Sequence, residues 1–332
     1  MNKHVTNVFW FRQDLRLSDN PGLTHALSTG KVLPIYILDE AHCDENKMGA
    51  TTKWWTHYSL SALNKSLDGA LNFYKGDPDK IIDELVKRHN IKGVFWNRCY
   101  EPWRTKRDAH IKKQLKKNGT EAESFNGSLL WEPWEVLKSD KTPYKVFTPF
   151  YRKGCLGTTP PRQPLKTPAK TTWVKDDLSV TLQDLELLPS TRWDKKLEPH
   201  WNISESGAQQ QLTVFLKEGL SGYKEGRNFP RKSHASRLSP YLHSGEISPH
   251  QVWHAARICG DNADIDHFCS ELGWREFSYN LLHYFPGLPH DNWQSKFDAF
   301  PWQDDPIALQ RWQKGMTGYP IVDAGMRELW QT

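Results

Sequence analysis

The sequence predicts an α/β protein in which an N-terminal, Rossmann-like domain with a parallel sheet is followed by an all-helical domain. Short apolar segments alternate with helical stretches in the first part of the chain, which is typical of a parallel sheet covered by helices. From about residue 204 the apolar spacing is helical throughout. A proline-rich stretch separates the two parts, and we expect domains at 1–131 and 204–332 joined by a connector at 132–203.

Five segments in the first part are apolar, short and bounded by polar residues or Gly/Pro, as strands are. These strands are predicted at 7–11, 32–38, 70–74, 93–97 and 122–125, with helices at 53–67, 79–88 and 101–118. The turns contain neither GxGxxG nor GxxxxGK[ST], so the dinucleotide fingerprint and the P-loop are excluded. Because such sheets bind ligands at the carboxyl ends of their strands, residues 12–16 and 39–40 are expected at the ligand-binding edge.

The connector has a distinct composition. Residues 141–175 contain eight Lys/Arg, no Asp or Glu, and six prolines. This density of proline is unfavourable for regular helix, and the length exceeds that of an ordinary loop, so the stretch is predicted to cross between domains. Its charge fits a solvated linker and a surface facing phosphates equally well.

Composition excludes several classes of protein. Mean hydropathy is −0.72, no apolar run approaches membrane-spanning length, and the N terminus lacks a secretory signal, so we expect a cytoplasmic protein without membrane contact. Five scattered cysteines without a CxxC pair argue against a disulfide framework and a zinc site, and the histidines lack metal-binding spacing. No metal is therefore expected. The net charge of +5 is too small to indicate a partner.

The second part has five predicted helices, at 208–218, 249–259, 265–284, 307–314 and 319–330. Ser248 and Pro249 are a typical helix start, since serine caps free N–H groups and proline at the first position loses no donor. The last helix runs to the end of the sequence without a stop signal, and a helix interrupted there leaves carbonyls unpaired. We therefore expect residues 1–332 to be a fragment with an incomplete helical domain.

Two clusters in the second part could bind a nucleotide. Residues 224–237 contain five basic residues and one acidic residue, and Ser236 and Ser239 precede Pro240 at a predicted helix start. Hydroxyls and free N–H groups at a helix start suit a pyrophosphate, although a capped helix beside a solvated loop would have the same sequence.

Glu271, Trp274 and Arg275 form the second cluster, on one face of a predicted helix. A carboxylate beside an indole suits an aromatic base, whereas a plain Glu271–Arg275 surface ion pair would contribute only about 0.3–0.5 kcal/mol. A third feature, the series Trp293, Trp302 and Trp312, fits an electron relay, a base-stacking surface or a tryptophan-rich core.

Five motifs in order along the chain carry a resemblance to a known family. They read WFRQDLRLSDNP (10–21), YKVFTPF (144–150), SRLSPY (236–241), ELGWREF (271–277) and TGYPIVDAGMR (317–327). Together they resemble the DNA photolyase/cryptochrome family. The resemblance implies an α/β domain, a long connector and a helical domain that holds FAD.

Residue roles follow from the same resemblance. FAD contacts are implied for Tyr223, Ala235, Ser236, Arg237, Leu238, Ser239, Phe268 and Arg275. DNA contacts are implied for Arg227, Glu271, Trp274 and Arg275, and a part in the chemistry for Glu271, Trp274 and Trp302, the last at the surface end of a tryptophan relay. Phe268 stands where repair enzymes often have tryptophan. The pair Glu271/Trp274 resembles the cyclobutane-dimer photolyases, whereas plant cryptochromes generally lack it.

The resemblance implies light-dependent repair of cyclobutane pyrimidine dimers in double-stranded DNA by electron transfer from excited reduced FAD, carried out by a monomer. The alternatives are a cryptochrome-type photoreceptor without repair activity and, more remotely, a generic nucleotide-binding protein. Trp103-Arg104 stands where folate-antenna members have Asn-Glu, so a second, antenna chromophore is of open identity. Because the family continues beyond the motifs present here, we expect residues 1–332 to retain FAD weakly or not at all.

Overall fold

The computed structural model describes residues 5–43, 46–169 and 172–331. Its first part contains a five-stranded sheet with the order β3-β2-β1-β4-β5, in which every pair is parallel. The strands are β1 (Thr6–Phe11), β2 (Lys31–Leu38), β3 (Asn72–Lys75), β4 (Gly93–Asn97) and β5 (Glu121–Phe125). The predicted parallel sheet is confirmed.

Helices cover both faces of the sheet. They are α1 (Pro21–Thr29), α2 (Ala50–Ser66), α3 (Pro78–His89) and α4 (Pro102–Lys117). Alternate residues of β1 enter different cores, since Phe9 and Phe11 lie on one face and Val8 and Trp10 on the other, all fully buried. Burial on both faces explains why the strands read as continuous apolar runs.

The sequence did not predict α1. This helix starts where the Asn20 side chain accepts a hydrogen bond from the backbone N–H of Leu23, 3.1 Å away, and where Pro21 occupies the first turn. Both are recognised start signals. They were hidden because the helix is only nine residues long and follows a polar loop.

The connector is more ordered than predicted. The helical turn α5 (Phe147–Pro149) continues as a π-helical turn (Phe150–Cys155), so the expectation that proline would exclude helix from the connector is wrong for these nine residues. Pro149 falls in the first turn, where a missing N–H costs no hydrogen bond. Three single 3₁₀ turns follow, at Gln183–Leu185, Trp193–Lys196 and Glu198–His200.

The second part is helical, as predicted. Its α-helices are α6 (Glu205–Val214), α7 (Tyr223–Gly226), α8 (Ser239–Ser244), α9 (Pro249–Ile258), α10 (Ala263–Tyr284), α11 (Pro306–Gln313) and α12 (Pro320–Gln331). A π-helical turn (Phe215–Gly219) extends α6, and a 3₁₀ turn (Ser295–Ala299) precedes α11. Ser248 and Gln251 form a reciprocal capping box at the start of α9, which confirms the predicted start.

The two parts share a core. Trp54 and Trp55 of α2, together with Leu130 and Trp131, pack in the same buried cluster as the helical-domain residues. Trp55 also donates a hydrogen bond from its indole N–H to Glu246 across 2.7 Å. The α/β domain therefore supplies side chains that complete the core of the helical domain.

The loop between β1 and α1, residues 12–20, ties the parts together. Arg16 is 1% exposed, and its guanidinium donates hydrogen bonds to the carbonyl oxygens of Asp19, Gly127 and Gly245 at 2.7–2.9 Å. Asp19 is fully buried and accepts hydrogen bonds from Arg162 of the connector and from the Ser248 hydroxyl. Burial alone would raise the pKa of Asp19, but the hydrogen bond from Arg162 and the charge of Arg16 lower it overall.

Two buried glutamates lie at the same interface. Glu276 of α10 accepts hydrogen bonds from the backbone N–H groups of Leu130 and Trp131 at 2.8 and 3.3 Å, and Glu246 pairs with Trp55. Burial raises the pKa of each glutamate to about 7. Both side chains are therefore protonated in the folded protein well above the pH at which an exposed glutamate ionises.

Among the described residues, no helix combines the length and the apolar character needed to cross a membrane.

We expect Arg16→Met to lower the free energy of unfolding by about 3 kcal/mol, because three buried carbonyl oxygens lose their donor. Urea unfolding monitored by circular dichroism measures the loss. The control is Arg311→Met, which changes an exposed arginine on α11 and should shift stability by less than about 0.5 kcal/mol. Equal stability of the two variants would contradict the role of Arg16.

The raised pKa of Glu246 predicts a pH-dependent stability. Between about pH 4.5 and 7 the unfolded state releases this proton and the folded state keeps it, so the free energy of unfolding falls as pH rises through this window. We expect Glu246→Gln to reduce the difference between the free energies of unfolding at pH 5 and pH 8 by up to about 3 kcal/mol. Urea unfolding at the two pH values measures this difference. Glu218→Gln, at an exposed glutamate, should leave the wild-type pH profile unchanged.

Candidate functional site

The predicted cluster of Glu271, Trp274 and Arg275 lies in the middle of α10. Its Glu271 lies beside Arg227, the residue that directly follows α7. Glu271 forms an ion pair with Arg227, and its Oε1 lies 3.8 Å from Nε2 of His267, one turn earlier on α10. The Glu271–Arg275 pair considered from the sequence is not the one observed. Arg275 instead donates a hydrogen bond to the carbonyl oxygen of Ser128, at 2.7 Å, and so faces the α/β domain.

Trp274 lies one turn from Glu271 and is 46% exposed. One face of its indole is covered by Phe147 of α5, with ring centroids 3.7 Å apart and planes 11° from parallel. The structure thus brings together a cation, a carboxylate and a partly open aromatic face, supplied by Arg227, Glu271 and Trp274 respectively. This set can read polar edges and stack on a flat ring.

The predicted phosphate-binding segment, 235–239, is an open loop that leads into α8. Ser236 and Ser239 are not buried, and Arg237 has a left-handed backbone (φ 53°) that places its guanidinium over Trp201, 4.9 Å away. Leu238, not serine, occupies the cap position, and no side-chain cap hydrogen bond is formed there. First-turn N–H groups beside two hydroxyls therefore fit the phosphates of FAD.

Tyr223 and Phe268 are buried, at 6% and 3% exposure, and each packs against Phe215. Their own ring centroids are 5.4 Å apart, edge to face. The guanidinium of Arg227 lies 5.5 Å from the centre of the Tyr223 ring. These two predicted cofactor contacts therefore belong to an aromatic core that supports Arg227, and Tyr223 connects that core to the Glu271 cluster.

The remaining predicted residues lie apart from this cluster. Trp302 is 72% exposed in the segment before α11, with its ring 4.6 Å from that of Phe300. Ala235 is exposed and Leu238 is buried. Over residues 5–43, 46–169 and 172–331, no three His, Cys, Asp or Glu side chains form a group that could hold a metal ion.

A cavity of about 610 Å³ lies at the carboxyl ends of β1 and β2, the edge at which the sequence predicted ligand binding. Its lining includes Trp10, Arg12, Gln13, Leu38, Asp39, Glu40, Glu101, Trp103, Arg104, Arg107 and His243. Trp10 Nε1, Glu101 Oε2 and Arg104 Nε are buried there without a hydrogen-bond partner. Unpaired buried polar atoms beside an indole fit an aromatic ligand with polar edges.

The sequence analysis missed two features of the site. It did not single out Phe147 as a neighbour of Trp274 or His267 as a neighbour of Glu271. His267 precedes Glu271 by four residues on a helix, and this spacing could have shown it. Phe147 belongs to another segment, 127 positions before Trp274, and no local spacing reports such a contact.

Comparison with known proteins gives consistent results. The family model for DNA photolyase matches residues 7–169, and the model for the FAD binding domain of DNA photolyase matches residues 268–332. A deoxyribodipyrimidine photo-lyase of Agrobacterium fabrum is 42% identical over 98% of this chain and 69% of its own length. Cryptochrome-1 of Arabidopsis thaliana is 31% identical over 98% of this chain, and the chain spans half of that protein.

A solved structure agrees with the sequence matches. The crystal structure of a bacterial class III photolyase from Agrobacterium tumefaciens superposes with a TM-score of 0.91 at 40% identity, covering 100% of this chain and 70% of that one. The α/β and helical arrangement described above is thus the fold of that enzyme. With its motifs, its fold and two matching domain models, the chain belongs to the DNA photolyase/cryptochrome family.

Proposed function

We propose that this chain carries out light-dependent repair of cyclobutane pyrimidine dimers in double-stranded DNA, with FAD as the cofactor. The observation that carries the proposal is the pair Glu271 and Trp274, one turn apart on α10 and both accessible, beside the cation Arg227. The 42% identity to a protein named deoxyribodipyrimidine photo-lyase supports the same activity.

Trp274 would supply the stacking that a dimer loses when it leaves the duplex. Extruding a base pair costs a few kcal/mol, and a stacked aromatic ring returns about 1–3 kcal/mol per base. One face of the indole is already covered by Phe147, so the exposed part of the ring is available to the lesion.

Arg227 and Glu271 would exchange partners when DNA binds. Arg227 is partly exposed and suits a backbone phosphate, a contact that holds DNA without reading sequence. Its departure would release the Glu271 carboxyl from this ion pair, with His267 still 3.8 Å away on the same helix. If it takes up a proton from solvent in the complex, that carboxyl would donate a hydrogen bond to a thymine carbonyl and stabilise the negative charge that develops on the oxygen.

FAD, when bound and reduced, supplies the electron that light transfers to the dimer. Residues 235–239 would hold its phosphates with the hydroxyls of Ser236 and Ser239 and the first N–H groups of α8. The buried rings of Tyr223 and Phe268 would form the apolar floor behind the cofactor and exclude water from it.

The cavity at the sheet edge would hold the second, antenna chromophore. Its volume of about 610 Å³ suits a medium-sized aromatic molecule. Trp103 lines it, with the guanidinium groups of Arg104 and Arg107 4.9 and 5.2 Å from the centre of its ring. Arg104 Nε and Glu101 Oε2 are buried there without a hydrogen-bond partner, and Arg104 Nε lies 3.8 Å from Glu101 Oε1. Any chromophore of this cavity would therefore have both donor and acceptor groups on its edge.

The proposal includes the oligomeric state, the location and the domain boundaries. We propose that the protein is a monomer and acts in the cytoplasm. Its domain boundaries are proposed near residues 131 and 203. A cryptochrome-type photoreceptor is the alternative function. It shares the fold and FAD, but the pair Glu271/Trp274 and the higher identity to the photo-lyase favour repair.

Substitution of Glu271 tests its role. Glu271→Gln keeps a hydrogen-bond donor and should keep about half or more of the dimers repaired per absorbed photon, whereas Glu271→Ala should lose several-fold. The measurement counts dimers remaining in irradiated DNA after blue illumination of the protein supplied with an excess of reduced FAD. Glu218→Ala, at an exposed site, is the control. Equal yields for Glu271→Ala and wild type would reject the role.

Substitution of Arg227 tests the phosphate contact. Arg227→Gln should weaken binding of damaged and undamaged duplex by the same factor and reduce the slope of log affinity against log salt by about 1. Filter binding at several salt concentrations measures both quantities. Lys106→Gln, on the exposed side of α4, should match wild type. A loss confined to damaged DNA would show that Arg227 contacts the lesion instead.

A further inference from the structure

Phe147 is placed to control the orientation of Trp274. The two rings are stacked in parallel with centroids 3.7 Å apart, although one belongs to the connector and the other to α10. Because Trp274 is 46% exposed, its side-chain torsions are restricted by the rings that pack against its covered part, those of Phe147 and Phe277. Phe147 is therefore positioned to fix the plane of the indole.

Phe147 is itself held in place. Its ring is also nearly parallel to that of Tyr151, with centroids 5.6 Å apart and planes 10° from parallel, and Tyr151 is only 6% exposed. A Cβ atom at Gly273 would lie 2.4 Å from the Tyr151 ring, so the glycine next to Trp274 allows this ring to pack against α10. Phe277 contacts both Phe147 and Trp274 from the next turn of α10.

Phe147 thus lies nearly parallel to two rings, the buried Tyr151 and the exposed Trp274, and connects the protein core to the indole. Removing the Phe147 ring would leave Trp274 beside a gap and free to rotate into it. Ordering such a side chain again upon binding costs about 0.5–1.5 kcal/mol. A pre-positioned indole avoids this cost when a flat ligand stacks on it.

We propose that Phe147 is a positioning residue for lesion recognition: it covers one face of Trp274 and thereby presents the indole plane to the extruded dimer. The inference rests on the proposed repair function. It assigns a role to the motif at 144–150 and makes the connector part of the dimer-binding site.

The test is a binding experiment with Phe147→Ala and Phe147→Tyr. Dissociation constants are measured for a duplex with one dimer and for the same duplex undamaged. Phe147→Ala should raise the constant for damaged DNA about tenfold, equivalent to 1.4 kcal/mol, and leave the constant for undamaged DNA within twofold. Phe147→Tyr keeps the ring and should restore wild-type discrimination.

A double-mutant cycle separates this role from general stability. In a Trp274→Ala background, Phe147→Ala should cause no further loss of discrimination, because the ring that it positions is gone. Phe285→Ala is the matched control, since Phe285 also packs on a tryptophan, Trp293, 4.7 Å away, and should leave discrimination unchanged. Thermal unfolding confirms that each variant is folded.

Three outcomes would overturn the inference. Equal losses for damaged and undamaged DNA would indicate a structural role for Phe147. Tighter binding of damaged DNA by Phe147→Ala would show that Phe147 occupies the face that the dimer needs. Wild-type protein that binds both duplexes equally would reject the proposed function and, with it, this inference.

Discussion

The structure depends on burying Arg16. Its guanidinium has 1% exposure and reaches backbone carbonyls before α1, before the connector and after α8, so one side chain fixes three separate parts of the chain. Such a cation is tolerated because both of its terminal nitrogens, Nη1 and Nη2, donate hydrogen bonds and Asp19 lies beside it, although its Nε is buried without a hydrogen-bond partner. Asp19 in turn binds Arg162 and Ser248. The motif at 10–21 therefore joins the sheet to the segment between α8 and α9, and α9 in turn packs against α10, which carries the site.

The helix α10 serves the interface and the site with different faces. Glu276 and Phe277 are buried and face the α/β domain and the connector, whereas Glu271 and Trp274 remain accessible. A displacement of the domains would move the buried face and carry the accessible one with it. The orientation of Glu271 and Trp274 thus depends on the packing of the two domains as well as on the local sequence.

Features with local signals could be predicted from the sequence. The strands were placed within two residues because apolar runs with polar ends are local, and the start of α9 was clear from Ser248 and Pro249. The pairing of Glu271 with Arg227 and the stacking of Phe147 on Trp274 join distant segments. Periodicity carries no information about such contacts, and only the folded chain shows them.

The shared core has a consequence for how the chain can be divided. Trp54, Trp55 and Trp131 lie in the α/β part of the sequence but are buried among helical-domain residues. Expressing the first 131 residues alone would expose these three indoles as a hydrophobic patch, and such a patch favours self-association. The separated helical part would be left with a hollow where those rings belong. Neither half therefore has a complete core of its own. A chimera of two relatives must take these tryptophans and the helical-domain residues that pack around them from the same parent.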